Sequence, residues 1–223
     1  MTPLADALLE SAQALSADVH VAMYRDPFWM ERFGERGARF SREDGVHHVK
    51  YLADALRFEQ PSLLSDYAVW LRGVLTSRGM CTLHLDETLA CLADAIDARG
   101  IEGATLARGV IDSARRALAY PEGEALAIQR AADTLSARLV AGSPDDAPIL
   151  GEAQIRRLIS YAADAVAKGD DRGFVEHVTW LRDSLVRRGI AGARFDALLL
   201  ALEEAGGPES LGRLCALGME SAP

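Results

Sequence analysis

The residues best suited to ligand chemistry occur together in the string SREDGVHHVKYLADAL. Asp44 and His48 are four residues apart, so a helix places both on one face, and Tyr51 follows on nearly the same side. Such a column could hold a haem iron through His48, or a metal ion through His48 and Asp44, with Tyr51 as an outer hydrogen-bond donor. The alternative is a simple pair between Asp44 and His48, because a metal site needs three or four ligands and only two occur here.

A second candidate is the aromatic segment DPFWMERFGERGARF at 26–40, which stands out in a chain otherwise poor in aromatic residues. Its rings could line a pocket for a flat hydrophobic ligand, in which Trp29 and Phe33 would surround a cofactor together with His48, Tyr51 and Trp70. The same segment could instead be a plug that closes one end of a helical bundle. The sequence leaves both interpretations open.

Other catalytic patterns are missing from the sequence. It contains no glycine-rich phosphate loop, no G-x-S-x-G elbow, no H-E-x-x-H and no Glu-x-x-His of the kind that di-iron bundles use. His84 precedes Asp86 in a predicted loop, where we expect it to be an exposed turn residue. A non-enzymatic protein is therefore favoured, although enzymatic activity stays open.

Charge and composition exclude several partners. The net charge of −9 would repel a phosphate backbone or an anionic membrane surface, so we expect neither nucleic acid nor a membrane as partner. No apolar run approaches the roughly 20 residues that span a bilayer, and the N-terminus does not have the pattern of a signal peptide. Three widely spaced cysteines, Cys81, Cys91 and Cys215, indicate reduced core thiols, and we expect a cytoplasmic protein.

The elements that would position these residues are helices. Apolar residues recur at i, i+3, i+4 and i+7 almost throughout, and no stretch alternates with period two, which predicts an all-α helical bundle. Ser41 followed by Asp44 resembles a capping box and predicts a helix start near residue 42. Glycine and proline stop signals divide the pattern into about eleven helices: 3–24, 27–33, 41–58, 61–78, 85–99, 102–119, 122–140, 152–168, 171–188, 193–205 and 208–219.

The strongest feature of the sequence is an internal repeat with an offset of 110 residues. The segments 51–96 and 161–206 align without a gap, and both contain the string Trp-Leu-Arg-x-x-Leu-x-x-Arg-Gly, which begins at Trp70 and at Trp180. Each copy predicts an αα-hairpin followed by a third helix, in which the shared Tyr and Trp lock helices together. We predict two pseudo-repeated helical units, 1–140 and 149–223, joined by a linker at 141–148 that is rich in Gly, Pro and Asp.

The run ISYAADAVAKGDDRGFVEHVTWLRDSLVRRGIAGARFDALLLALEEAG resembles the opening helices of the four-helix cap in cobalamin-binding modules. The Gly-Asp-Asp-Arg turn at 169–172 stands where those caps have a Gly-Asp-Arg turn, and related helical modules in bacterial sensors bind haem. The chain departs from that family because it has no Glu-His helix and no Rossmann domain with its cobalt-ligating histidine loop. The resemblance implies a stand-alone helical sensory or adaptor module, and it transfers no binding residue.

From these observations we expect a non-enzymatic regulatory, sensory or adaptor protein. It would bind a partner protein, form a homo-oligomer or bind a small hydrophobic molecule. The alternative is a haem-binding or other tetrapyrrole-binding protein with His48 as the axial ligand and one cofactor per chain. A metal-dependent enzyme is the third hypothesis.

Overall fold

The computed structural model describes residues 3–142 and 149–220, and its regular structure in these ranges is helical throughout. The predicted all-α class with about eleven helices is confirmed. The described helices are α1 Pro3–Glu10, α2 Ala12–Met23, α3 Pro27–Arg57, α4 Ser62–Thr76, α5 Thr82–Ala98, α6 Ala104–Ala117, α7 Gly123–Ala141, α8 Glu152–Lys168, α9 Arg172–Arg187, α10 Gly192–Glu204 and α11 Glu209–Glu220.

Helix boundaries differ from the prediction at the N-terminal end. The predicted helix 3–24 is interrupted at Ser11, whose φ and ψ of −89° and 0° end α1 and begin α2. The backbone N–H of Ser11 still donates to the carbonyl of Ala7, and the N–H of Leu15 donates to the carbonyl of Ser11. The apolar period continues across this one-residue turn, so the sequence pattern gave no sign of it.

Helix α3 consists of two helical parts that meet at a kink at Gly34, next to the predicted end of the helix 27–33. Asp26 caps its start, where its side chain accepts a hydrogen bond of 3.0 Å from the N–H of Phe28, and Pro27 occupies the first turn. Gly34 takes a left-handed φ of 58° and absorbs the kink between the two parts. The predicted helix start near Ser41 is wrong, because Ser41 lies inside a helix that began upstream.

Contacts group the chain into two compact units. Unit 1 comprises the described residues of 1–72 and 84–118, and unit 2 those of 73–83 and 119–223. Most of the predicted linker, 143–148, lies outside the described residues, and the predicted division at 141–148 stays a prediction. In unit 1, α1, α2 and α6 pack against α3. Gly45 allows the close approach of α2, since a Cβ there would lie 2.3 Å from Oγ of Ser16.

The core of unit 2 is built around α8, which is buried along most of its length. Helices α7, α9, α10 and α11 pack with it around a single cluster of buried apolar side chains. Cys81 and Tyr161 belong to that cluster, which brings the segment before α5 onto α8 within the same unit. Unit 2 thus contains residues 73–83, which belong to the first copy of the sequence repeat.

Several structural features recur at the predicted offset. Helices α4 and α9 begin at Ser62 and Arg172, and α5 and α10 begin at Thr82 and Gly192. Gly79 and Gly189 follow the ends of α4 and α9 with φ of 78° and 79°, in the left-handed region that glycine adopts without a steric penalty. These spacings match the repeat, whereas its origin in a duplication stays a prediction.

The three cysteines are free thiols, of which Cys81 and Cys215 are buried and Cys91 is partly buried. None of the helices within 3–142 and 149–220 combines the length and apolar character needed to cross a membrane.

Candidate functional site

The predicted ligand His48 lies inside unit 1 and contacts a residue that the sequence analysis did not select. His48 on α3 is 5% exposed, and Tyr67 on α4 is 8% exposed. Nδ1 of His48 and the hydroxyl oxygen of Tyr67 are 2.9 Å apart and share a hydrogen bond. The buried imidazole is therefore anchored to the neighbouring helix.

Burial makes both groups of this pair electrically neutral. Burial, with a smaller contribution from His47, lowers the pKa of His48 to about 4. Burial also raises the pKa of Tyr67, and the negative charge of Asp44 adds to that rise. Because neither group titrates near neutral pH, the pair is not suited to general acid–base catalysis.

Two aromatic rings lie on the outer side of this pair. Tyr51 stacks on Tyr67 with ring centroids 3.8 Å apart and an interplanar angle of 13°, and Trp70 lies 6.0 Å from Tyr67. Tyr51 is 42% exposed and Trp70 62% exposed. Phe58, which is 65% exposed, follows Tyr51 by two turns at the end of α3. We call Tyr51, Phe58 and Trp70 the open aromatic face.

Trp29 and Phe33 belong to a different cluster of unit 1. Their rings surround His84 on α5, with centroid distances of 4.8 Å from Trp29 and 5.8 Å from Phe33. Phe28 lies 5.3 Å from the same imidazole. His84 is 0% exposed, so its prediction as an exposed turn residue is wrong. The surrounding rings bury His84, and the cluster is packed in the manner expected of a plug.

Unit 2 contains the same arrangement of rings at positions 110 residues further on. Tyr161 stacks on His177 with centroids 3.9 Å apart at 14°, and Trp180 lies 5.9 Å from His177. There the rings are covered: Tyr161 is 2% and His177 is 1% exposed, and Trp180 packs against the apolar core. The hydroxyl of Tyr161 donates a hydrogen bond of 2.7 Å to the carbonyl of Gly79.

The structure thus brings His48, Tyr51 and Trp70 together around Tyr67, with Asp44 close enough to influence the Tyr67 pKa. Sequence reasoning missed Tyr67 and Phe58. A signal for Tyr67 was present, because the repeat aligns it with His177 and places a flat ring three residues before each shared tryptophan. Phe58 carries no such signal, since Lys168 occupies its equivalent position.

Asp44, His48 and Tyr51, which the sequence places on one helix face, fit a metal ion poorly. Among residues 3–142 and 149–220, no group of three or more His, Cys, Asp and Glu side chains is arranged to hold a metal ion. His48 is neutral, which is the form that ligates iron, and Tyr67 orients it as an outer partner would. Its burial, however, leaves little of the ring open to a cofactor.

Comparisons with known proteins give no match, whether by family model, by curated sequence or by solved structure.

Proposed function

We propose that this chain is a non-enzymatic interaction protein that binds another polypeptide through the open aromatic face of unit 1. The proposal rests on one observation, which is that the aligned rings of the two units differ in their exposure to solvent. In unit 2 the chain covers Tyr161 itself, whereas in unit 1 Tyr51 and Trp70 remain 42% and 62% exposed. Tryptophan and tyrosine are the residues most enriched among the energetic centres of protein interfaces.

The size of the face supports this function. An aromatic side chain carries about 200 Å² of surface, so the exposed fractions of the three rings leave roughly 350 Å² in water. Covering that area is worth about 9 kcal/mol before the costs of association are subtracted. Contiguous apolar patches of a few hundred Å² on monomers are often functional.

The pair beneath the face supports binding over chemistry. A neutral imidazole hydrogen-bonded to a neutral phenol offers no charged group that would have to be desolvated when a partner covers the rings. The pair also fixes the position of Tyr67, on which Tyr51 stacks. A rigid aromatic surface loses less conformational entropy on binding than a mobile one.

A haem-binding protein with His48 as the axial ligand is the second candidate. The hydrogen bond between Nδ1 of His48 and the hydroxyl oxygen of Tyr67 favours it, because an Nδ1–H that donates to Tyr67 would leave Nε2 as the ligating nitrogen. Titration with haemin should then give a Soret band at one equivalent per chain, and this band should disappear in His48→Ala. If the spectra of the wild-type chain and His48→Ala are the same, His48 is not the ligand.

The interaction function is tested by a pair of substitutions at equally exposed sites of unit 1. Trp70 and Leu106 are 62% and 63% exposed, so Trp70→Asp and Leu106→Asp should both leave the thermal unfolding midpoint within a few degrees of the wild type. We expect Trp70→Asp to abolish the complexes that the tagged chain forms in its native host, as measured by size-exclusion chromatography with light scattering. Leu106→Asp should retain them.

Equal behaviour of the two variants would contradict the proposal. If both retain the complexes, the open aromatic face is not the binding surface. If both lose them, binding depends on general surface properties and not on these rings.

A further inference from the structure

The covered ring set of unit 2 shows which kind of segment fits this surface. Residues 76–83, which contain the end of α4 and the start of α5, lie across one face of α8 within unit 2. Five hydrogen bonds attach them: Tyr161 Oη to the Gly79 carbonyl, the Leu83 N–H to Ser160 Oγ, the Thr82 N–H and hydroxyl to the Asp164 carboxylate, and Lys168 Nζ to the Thr76 carbonyl. The occupant is thus a helix end, a left-handed glycine and the first turn of the next helix.

The equivalent face of unit 1 is open. The residues that align with Ser160, Tyr161, Asp164 and Lys168 are Lys50, Tyr51, Asp54 and Phe58. Lys50, Tyr51 and Phe58 are exposed, and Asp54 is partly exposed. The face has the stacked tyrosine and the carboxylate of its counterpart without the segment that covers them.

The equivalent of the covering segment is also open. Residues 186–193 align with 76–83 and likewise contain a helix end, a left-handed glycine and the start of the next helix, α10. Val186 is 52% exposed, Gly189 and Ala191 are exposed, and Ile190 is partly buried. Unit 1 therefore has a face that no described segment of the chain covers, and unit 2 has an exposed segment, 186–193, of the kind that covers α8.

We propose that the occupant of the open aromatic face is segment 186–193 of a second copy of this chain, bound as segment 76–83 is bound on α8. This inference rests on the proposed function and names the partner of the same surface. The hydroxyl of Tyr51 would donate to the carbonyl of Gly189, and Asp54 would accept from the N–H of Gly192. That N–H belongs to the first turn of α10, where a carboxylate is stabilised by the helix dipole.

The substitutions between the two repeats fit this pairing. Where Lys168 meets the carbonyl of Thr76, the open surfaces carry Phe58 and Val186, two of the most exposed large apolar side chains of the chain. A polar contact in unit 2 is thus replaced by an apolar pair at the same relative position. Covering both side chains would remove apolar surface from water, which favours association.

Such an interface joins two different surfaces and is heterologous. A pair of chains joined in this way keeps one open face and one exposed covering segment. Further copies can therefore add to the pair, and the resulting assembly can extend as a filament or close into a cyclic oligomer. This property separates the proposal from a symmetric dimer, in which the aromatic faces of two copies would meet each other.

Sedimentation velocity of the full chain and two variants tests the pairing. Phe58→Asp damages the open face, and Val186→Asp damages the covering segment, and both positions are solvent-exposed, so folding should be kept. The wild-type chain should sediment as species larger than the 24.0 kDa monomer as its concentration rises. Each variant alone should dissociate at least tenfold more readily.

The decisive sample is the equimolar mixture of the two variants. Phe58→Asp retains an intact segment and Val186→Asp an intact face, so the mixture should form a dimer and nothing larger. Leu106→Asp in unit 1 and Leu200→Asp in unit 2, both at exposed positions, serve as controls and should associate as the wild type does.

Three outcomes would overturn the inference. The first is a wild-type chain that stays monomeric at every concentration. The second is a mixture that forms no dimer although the wild type associates. The third is a complex at the open aromatic face that contains a different polypeptide, in which case the interaction function stands and self-association falls.

Discussion

At the scale of single residues, the clearest physical consequence concerns His48. Its ring is buried next to Tyr67, with ring centroids 5.8 Å apart, where the charged form loses most of its hydration. Leu158 takes the equivalent place in unit 2, so the position accepts an apolar side chain. The histidine thus adds a hydrogen bond to Tyr67 and a sensitivity to acid.

This sensitivity predicts a pH-dependent stability. The folded-state pKa of about 4 lies below the ordinary histidine pKa of 6.5, so the unfolded chain binds the proton first as pH falls. The contribution of His48 is fully present above about pH 6.5 and is lost between pH 6.5 and about pH 4, by about 3 kcal/mol in all. We expect His48→Leu to lose less stability than the wild type between pH 7 and pH 5.

Urea unfolding of both proteins at pH 7 and pH 5 measures this difference. The wild type should lose about 2 kcal/mol more than His48→Leu over this interval. The same pH dependence in the two proteins would mean that the imidazole is not buried as described.

At the scale of elements, a buried carboxylate joins the first residue of α5 to α8. Asp164 accepts hydrogen bonds from the N–H and hydroxyl of Thr82 and, at 2.6 Å, from the hydroxyl of Tyr120. Asp54 stands at the equivalent position of unit 1 and is partly exposed. Aspartate therefore occupies a buried position in unit 2 and a partly exposed position in unit 1.

We expect Asp164→Ala to lower the free energy of unfolding by about 3 kcal/mol or more, because it leaves buried donors without their acceptor. Asp54→Ala is the matched control and should change stability by less than about 0.5 kcal/mol in the dilute chain. Chemical denaturation of both variants provides the measurement. Similar losses in the two variants would show that the carboxylate of Asp164 does not hold the segment on α8.

The close approach of α2 and α3 gives a second prediction at this scale. Gly45→Ala should destabilise the chain by about 1–3 kcal/mol, because the new Cβ would overlap the side chain of Ser16. Gly109→Ala lies in the interior of α6 with nothing within 4 Å of the added Cβ, and it should stabilise by about 0.5–1 kcal/mol. Thermal unfolding compares the two, and destabilisation of equal size would refute the close packing at Gly45.

The elements also show how far sequence reasoning extends. The helical class followed from the apolar period, which is a property of every helix that packs on a core. The break at Ser11 and the helical backbone of residues 35–40 were missed, because both depend on local backbone angles that leave the period unchanged. Periodicity reports which side of a helix is buried and says little about where the helix stops.

At the scale of the whole molecule, the two units differ in whether their ring sets are covered. The predicted repeat aligns Tyr51 and Trp70 with Tyr161 and Trp180, and in each unit these two rings lie on either side of a third ring, Tyr67 or His177. It did not predict that one set would be exposed, because exposure depends on residues 76–83, which are remote from α8 in sequence. The spacing of the rings can therefore be read from the sequence, whereas their exposure is set by tertiary packing.

Site-specific cross-linking from position 70 tests whether the open aromatic face is the binding surface. A photoreactive phenylalanine analogue replaces Trp70 in the full chain in its native host, and the same analogue at Leu106 is the control, since both side chains are highly exposed. We expect one dominant adduct from position 70, which disappears when Tyr51 and Phe58 are changed to Asp, and no equivalent adduct from position 106. No adduct from position 70, or the same diffuse set of adducts from both positions, would contradict this expectation.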